Sequence, residues 1–287
     1  MKDQAEALRK RLNDKDNSHT PKTLAVVSGK GGVGKSNFSL NFAISLSKKG
    51  YKVLLFDMDV GMGNIDILLG NSSKLTIVDF FDEKESLKNV VVEGPNQLHY
   101  IAGGTGLNRL FKLNEELVQK FSDELSSLIE AYDYVIFDMG AGVSEESIHF
   151  ILSVEEIIVV TTPEPTSITD AYAMMKHIHM NNIDIPFFLL VNRITGIQEG
   201  KETFNRLQTV AKRFLNRDVR MLGMIPDDKA VRQAVTKQTP FILNERSQAA
   251  KALVELTDKY EKMSFPEQHS QVTVSFVSKL KRFLFER

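Results

Sequence analysis

There is no cysteine anywhere in the 287 residues. That excludes disulfides, thiolate metal sites, iron–sulfur clusters and a cysteine nucleophile, and it fits a reducing cytosol. Charge of one sign is missing too: 36 Lys and Arg stand against 37 Asp and Glu, a net of −1. No global field therefore draws the chain onto nucleic acid or anionic lipid, and any such binding must come from a local patch. Long apolar runs are absent; none approaches the ~18 residues that span a bilayer. The start, MKDQAEALRKRLNDKDNSHT, is polar and carries no signal-peptide apolar region. Internal repeats and low-complexity tracts are absent as well. What remains is an ordinary soluble composition, 25% charged and 42% hydrophobic, enough for one large α/β domain or two small ones.

Residues 1–22 are polar, with Ala5, Leu8 and Leu12 marking a short helix before a flexible stretch that ends at Pro21. From residue 23 short apolar runs alternate with helical periods. Strands are expected at 23–28, 52–57, 97–102, 134–138, 156–161, 187–192 and 220–225, several of them apolar at nearly every position. Amphipathic helices are expected at 36–49, 114–131, 166–181 and 199–216, with one more over 240–262. This alternation predicts a doubly wound, mostly parallel sheet with helices on both faces. Residues 23–263 form the expected domain, 264–272 a linker around Pro266, and 273–287 a separate short helix.

The segment TLAVVSGKGGVGKSNFSLNFAISL is strand, glycine loop and helix in the order that a phosphate-binding loop requires. Gly29, Gly31, Gly32, Val33 and Gly34 would bring backbone N–H groups onto phosphate oxygens, and the helix N-terminus beyond favours an anion. Lys35 would reach the β- and γ-phosphates, Ser36 would ligate Mg²⁺, and Asn37 follows them into the helix. A second apolar strand delivers Asp57 and Asp59 at its C-terminal end, where ligand sites of α/β sheets lie. A third, Tyr134-Val135-Ile136-Phe137-Asp138, ends in an aspartate followed by a D-x-x-x-G pattern; Asp138 would hold Mg²⁺ through a water. The guanine signature [NT]KxD is missing, because the matching strand end reads Val191-Asn192-Arg193-Ile194-Thr195.

Lys30 departs from an ordinary phosphate loop, which needs no lysine at its second position. Together with LLFDMDVGMGNID and YVIFDMGAG, the run KGGVGKS resembles the deviant Walker A ATPases, the MinD and ParA family of P-loop NTPases. The resemblance implies an ATP-dependent homodimer in which Lys30 crosses to the partner's nucleotide. It implies that Lys30, Lys35 and Asp59 serve hydrolysis, with Asp59 positioning or polarising the attacking water and Asp57 lying near the metal. It also makes Asn192, Arg193, Pro226 and Asp227 adenine contacts, so that Mg·ATP is favoured over GTP. Gly140 stands where many relatives carry proline, and Thr162-Pro163-Glu164 matches a family loop whose chemistry the motif leaves open.

Both ends carry further signals. In 273–287, Phe276, Val277, Leu280, Phe283 and Leu284 fall on one helical face, with Lys279 and Arg282 opposite and Lys281 flanking. A basic amphipathic helix after a linker reads as an in-plane anchor for an anionic membrane surface, or as a helix that packs on its own domain. At the other end Asp3, Gln4, Ala5, Leu8 and Arg9 look like the D-Q-A-x-x-L-R motif of the flagellar number regulators, the FlhG group also called FleN or YlxH. In that group the motif stimulates FlhF, a signal-recognition-particle-type GTPase. The implied role is control of flagellar number and placement through flagellar switch-complex proteins, in the cytoplasm and at the inner face of the cell membrane. The alternatives are a division-site MinD protein, which would not need the Asp3–Arg9 arm, and a ParA-type partition ATPase binding DNA, which the near-neutral charge disfavours. No nucleic-acid partner is expected.

Overall fold

The computed structural model describes residues 20–59, 63–103, 115–142, 145–181, 184–264 and 275–285. The strands are β1 (Lys22–Ser28), β2 (Val53–Met58), β3 (Val91–Glu93), β4 (His99–Ile101), β5 (Tyr134–Ala141), β6 (Glu156–Thr161), β7 (Phe187–Ile194) and β8 (Val219–Pro226). They form one sheet in the order β3-β4-β2-β5-β1-β6-β7-β8. All pairings are parallel except β3 with β4. Every residue of β2 and β6 is buried, as befits strands that are apolar on both faces and lie inside the sheet.

The helices are α1 (Lys35–Lys48), α2 (Asn64–Leu69), α3 (Ile77–Phe81), α4 (Glu115–Ile129), α5 (Glu145–Ser153), α6 (Pro165–His179), α7 (Ile197–Leu215), α8 (Lys229–Thr236), α9 (Gln248–Ser264) and α10 (Phe276–Phe285). Successive strand side chains point to opposite faces, and the core divides accordingly. Leu24, Val26, Leu55 and Ile136 pack with Phe42 of α1 and Leu253 of α9. Ala25, Val27, Phe56 and Phe137 pack on the other side with Phe121 of α4, Ile151 of α5, Ala171 of α6, Leu207 of α7 and Phe276 of α10.

The doubly wound sheet agrees with the sequence reading; three details differ. The antiparallel edge strand β3 was not expected, because three residues are too few to show a period. Residues 240–262 are not one helix: Pro240 leads into a 3-10 turn, Phe241–Leu243, and the chain turns at Asn244–Ser247 before α9 begins. Helix α8 also arises without a sequence signal of its own length, started by Asp228, whose side chain accepts from Ala230 N–H. At the margins Lys22 already belongs to β1 and Ser264 still to α9. In Asp79-Phe80-Phe81-Asp82, the two phenylalanines are buried and pack on Phe121. The arm residues Asp3, Gln4, Ala5, Leu8 and Arg9, the region 109–112, and 265–272 of the linker lie outside the described residues.

Candidate functional site

The C-terminal side of the sheet gathers the motif residues. Strand β1 lies between β5 and β6, with β2 on one side of that group and β7 on the other. At such a reversal the loops diverge and open a crevice. Asp57 of β2 is the direct register partner of Asp138 of β5, and Val26 of β1 pairs with Asp138 from the other side.

Between β1 and α1 the phosphate loop is built on backbone that only glycine adopts readily. Gly32 and Gly34 have φ of +80° and +92°. A Cβ on Gly34 would lie 2.4 Å from Asn192 Nδ2, and one on Gly29 would lie 2.2 Å from the Asp170 backbone of α6. Asn192 Nδ2 donates to the Val33 carbonyl at 2.8 Å, which ties the loop to the end of β7. No acidic side chain occupies the first turn of α1, so its N–H groups and dipole are left for an anion.

Lys35 is buried and pairs with Asp138, Nζ to Oδ1 at 2.9 Å; its Nζ also lies 3.4 Å from Ser36 Oγ. Ser39 Oγ donates to the same Asp138 oxygen at 2.8 Å. The second Asp138 oxygen, Oδ2, is buried and has no hydrogen-bond partner among the described residues. A buried carboxylate oxygen with open lone pairs is a hard-oxygen donor suited to Mg²⁺, and the Ser36 hydroxyl, which shares the Lys35 ammonium with Asp138, is a second such donor. Ser36 and Asp138 therefore fit the metal.

Asp57 is used differently. It is fully buried, and its two oxygens accept from the backbone N–H groups of Asp59 and Ile65, both at 3.1 Å. Burial and the charge of Asp138 push its carboxyl up to about 7, against the pull of those two bonds. Asp57 so holds both ends of the segment that follows β2, of which residues 60–62 lie outside the description. Asp59 reaches the cleft, and Asn64 Nδ2, at the start of α2, donates to its Oδ2 at 2.6 Å. Gly140 faces this pair: a Cβ there would lie 3.5 Å from Asp59 Oδ1. The sequence reading missed Asn64, although it stands in the quoted motif.

Lys30 is half-exposed and turned onto its own chain. Its Nζ donates to Glu164 Oε2 at 2.7 Å and to Thr166 Oγ1 at 3.0 Å. The hydrogen bond and charge of Lys30 hold the Glu164 carboxyl below its usual value. This gives the Thr162-Pro163-Glu164 loop the chemistry that its motif left open: β6 lies next to β1, so the loop after β6 meets the loop after β1.

The expected base contacts converge. Asn192, Arg193, Pro226 and Asp227 line a cavity of about 510 Å³ with Asn37, Val231 and Phe241. It adjoins a cleft of about 430 Å³ lined by Gly31, Gly32, Lys35, Ser36, Asp59 and Asn64. Asp228 holds the floor by capping α8 and accepting from Ser247 Oγ and Ala249 N–H. The arrangement offers backbone donors and a lysine to a polyphosphate, oxygens to a divalent cation, a carboxylate to a water, and a part-apolar chamber to a base. These are the parts of phosphoryl transfer to water.

Helix α10 lies on the far face of the sheet. Phe276, Val277 and Leu280 are buried. Phe276 stacks on Phe137, centroids 4.8 Å apart, one residue before Asp138. Phe283 packs on His149, and Lys281 pairs with Asp123 at 2.7 Å. Lys279 is half-exposed and Arg282 exposed; the side chain of Leu284 lies outside the description. No helix among the described residues is long and apolar enough to cross a membrane.

Comparison with known proteins gives the same outline. The family model described as "ParA: NUBPL iron-transfer P-loop NTPase" matches residues 19–260. The iron chemistry in that description needs thiolates, which this sequence lacks. The antiactivator FleN of Pseudomonas aeruginosa is 34% identical over 264 residues, covering 89% of this chain and 93% of the relative. The flagellum site-determining protein YlxH of Helicobacter pylori is 35% identical over 246 residues, 83% of each. Among solved structures, the septum site-determining protein MinD of Pyrococcus horikoshii, complexed with Mg-ADP, superposes with a TM-score of 0.66 at 26% identity, covering 85% of this chain and 97% of that one.

Proposed function

From a chain that belongs to the ParA/MinD family of P-loop NTPases, an ATPase using ATP and Mg²⁺, we propose a switch that regulates flagellar number and placement. The names of its relatives FleN and YlxH motivate the flagellar assignment. The observation that carries the switch is the divided state of the two loop lysines. Lys35 sits on Asp138, and Lys30 sits on Glu164. An incoming triphosphate competes for both. Lys35 exchanges Asp138 for the phosphates, and Asp138 then turns to the metal side with Ser36, Asp57 lying behind it. Mg²⁺ held by Ser36 and Asp138 would neutralise developing phosphate charge. Asp59, steadied by Asn64, orients the water. Lys30 leaves Glu164 for the nucleotide of a second copy, so the site is complete only in a homodimer.

The tail supports a membrane step in the same cycle. Docking of α10 removes Phe276, Val277 and Leu280 from water, about 1.5–3 kcal/mol each. Phe276 stacks on Phe137 of β5, one residue before Asp138, so movement of β5 at the site would release the helix. The freed apolar face, flanked by Lys279, Lys281 and Arg282, then binds an anionic membrane, and a dimer presents two such helices. The arm at Asp3, Gln4, Ala5, Leu8 and Arg9 stimulates an FlhF-type GTPase, and flagellar switch-complex proteins are the remaining partners.

Two assays test this reading. Deleting 273–287 should abolish ATP-dependent sedimentation with anionic liposomes while leaving ATP binding intact; sedimentation that persists removes the anchor. A peptide of residues 1–20 should raise GTP hydrolysis by an FlhF partner; no stimulation would favour the division-site reading, which shares the ATPase but needs no such arm.

A further inference from the structure

Asn41 lies one turn beyond Asn37 in α1 and is fully buried. No motif in the sequence assigns it a role. Its Oδ1 accepts the backbone N–H of Ile242 at 2.9 Å. A backbone N–H only donates, so this contact fixes which end of the Asn41 amide is oxygen. The other end is therefore NH₂, and it donates to the Asn37 carbonyl at 2.7 Å and to Asn37 Oδ1 at 2.9 Å. The logic passes on by one residue. A donor at Asn41 requires an acceptor opposite, so the oxygen of the Asn37 amide faces inward. Its NH₂ group is the end left for a ligand. Asn37 lines both the base cavity and the phosphate cleft, at their junction.

We propose that Asn41 is a positioning residue that locks the Asn37 amide donor-outward, and that this donor takes an oxygen of the phosphate nearest the ribose. Phosphate oxygens only accept, which suits a group held as a donor, and the junction of the two chambers is where that phosphate must lie. The same Asn41 pins Ile242, whose neighbour Phe241 is a wall of the base cavity. One buried amide therefore sets the donor and the wall together. The inference rests on the nucleotide site and not on any flagellar or membrane role.

The test is ATP and ADP affinity of the full chain by calorimetry. Asn37→Asp replaces the outward donor with an acceptor and should weaken both nucleotides by about tenfold or more, since hydrogen bonds to charged groups are the strong ones. The two factors should be equal, because both nucleotides carry the proximal phosphate. Asn41→Asp keeps an acceptor for Ile242 but loses the donor to Asn37, and should weaken both in the same proportion. Adding Asn37→Thr, whose hydroxyl turns to donate without help, should restore affinity to within about threefold. Should Asn41→Asp not fold, Asn37→Asp and Asn37→Thr alone still separate the outcomes. Native-like binding by Asn37→Asp overturns the proposal, as does an Asn41→Asp loss that Asn37→Thr leaves in place. With 2′-deoxy- and 3′-deoxy-ATP the loss should persist; if it disappears with either, the donor serves a ribose hydroxyl and the phosphate assignment is wrong.

Discussion

Lys30 and Lys35 lie five residues apart in one loop, yet they live in different electrostatic worlds. Lys35 and Asp138 have side-chain exposures of 7% and 0%; Lys30 and Glu164 have 31% and 62%. A buried pair is costly to break on one side, because the survivor is left charged and dry. An exposed pair is screened and cheap to exchange. The inner lysine is thus tied to the protein's stability, whereas the outer one is free to change partner at little energetic cost. The proposed switch, in which the second lysine reaches another molecule, would draw on that difference.

The largest effect should follow from attacking the inner pair. Lys35→Met should cut ATP affinity more than about 100-fold and cost about 3 kcal/mol of unfolding free energy, read by calorimetry and urea melts. Adding Asp138→Asn should recover most of the stability and none of the binding. If the double variant is no more stable than the single, the pair is not the cause. Next comes the cleft carboxylate: Asp59→Ala should slow phosphate release by about 100-fold or more while ATP affinity stays native. Asn64→Ala should give a smaller loss in the same direction. Equal hydrolysis in native and Asp59→Ala protein would remove Asp59 from the mechanism.

The pH response comes third. Asp57 has its folded carboxyl raised to about 7, so it keeps its proton in the folded state at pH values where the unfolded chain has lost it. Its contribution is fully present below about 4 and is lost as pH rises through about 7. Between pH 5 and 8 the native chain should lose roughly 3 kcal/mol relative to Asp57→Asn. A constant difference across that range would contradict the burial argument. The smallest effect belongs to the outer pair. Glu164→Gln should leave the melting temperature within about 1 °C at low and high salt; a shift of several degrees would mean that Lys30 is anchored rather than poised.

The parts of this site that the sequence revealed are the local ones. Gly32, Gly34 and Lys35 are readable because a phosphate loop needs its glycines and lysine at fixed spacing. Asp57, Asp59 and Asp138 are readable because apolar strands announce where they end. Asn64 was inside a quoted motif but silent, since only the folded turn brings its amide to Asp59. The Lys30–Glu164 contact spans 134 positions and depends on β1 lying beside β6, which no spacing encodes. The amphipathic tail was legible as a helix, but its apolar face fits a lipid surface and a protein groove equally well. Only the location of Phe137 identifies the groove. The break inside 240–262 escaped because the apolar period continues across Phe241 and Ile242 into Ala249 and Leu253, all in one core cluster.

Asn192 gives the site a further property. Its side chain closes on Val33 while it and the next residue line the base chamber. The two compartments are therefore riveted to one another, and the interval between them is set by the protein. On the proposed reading, such a site would act as a gauge of how far a ring stands from its first phosphate.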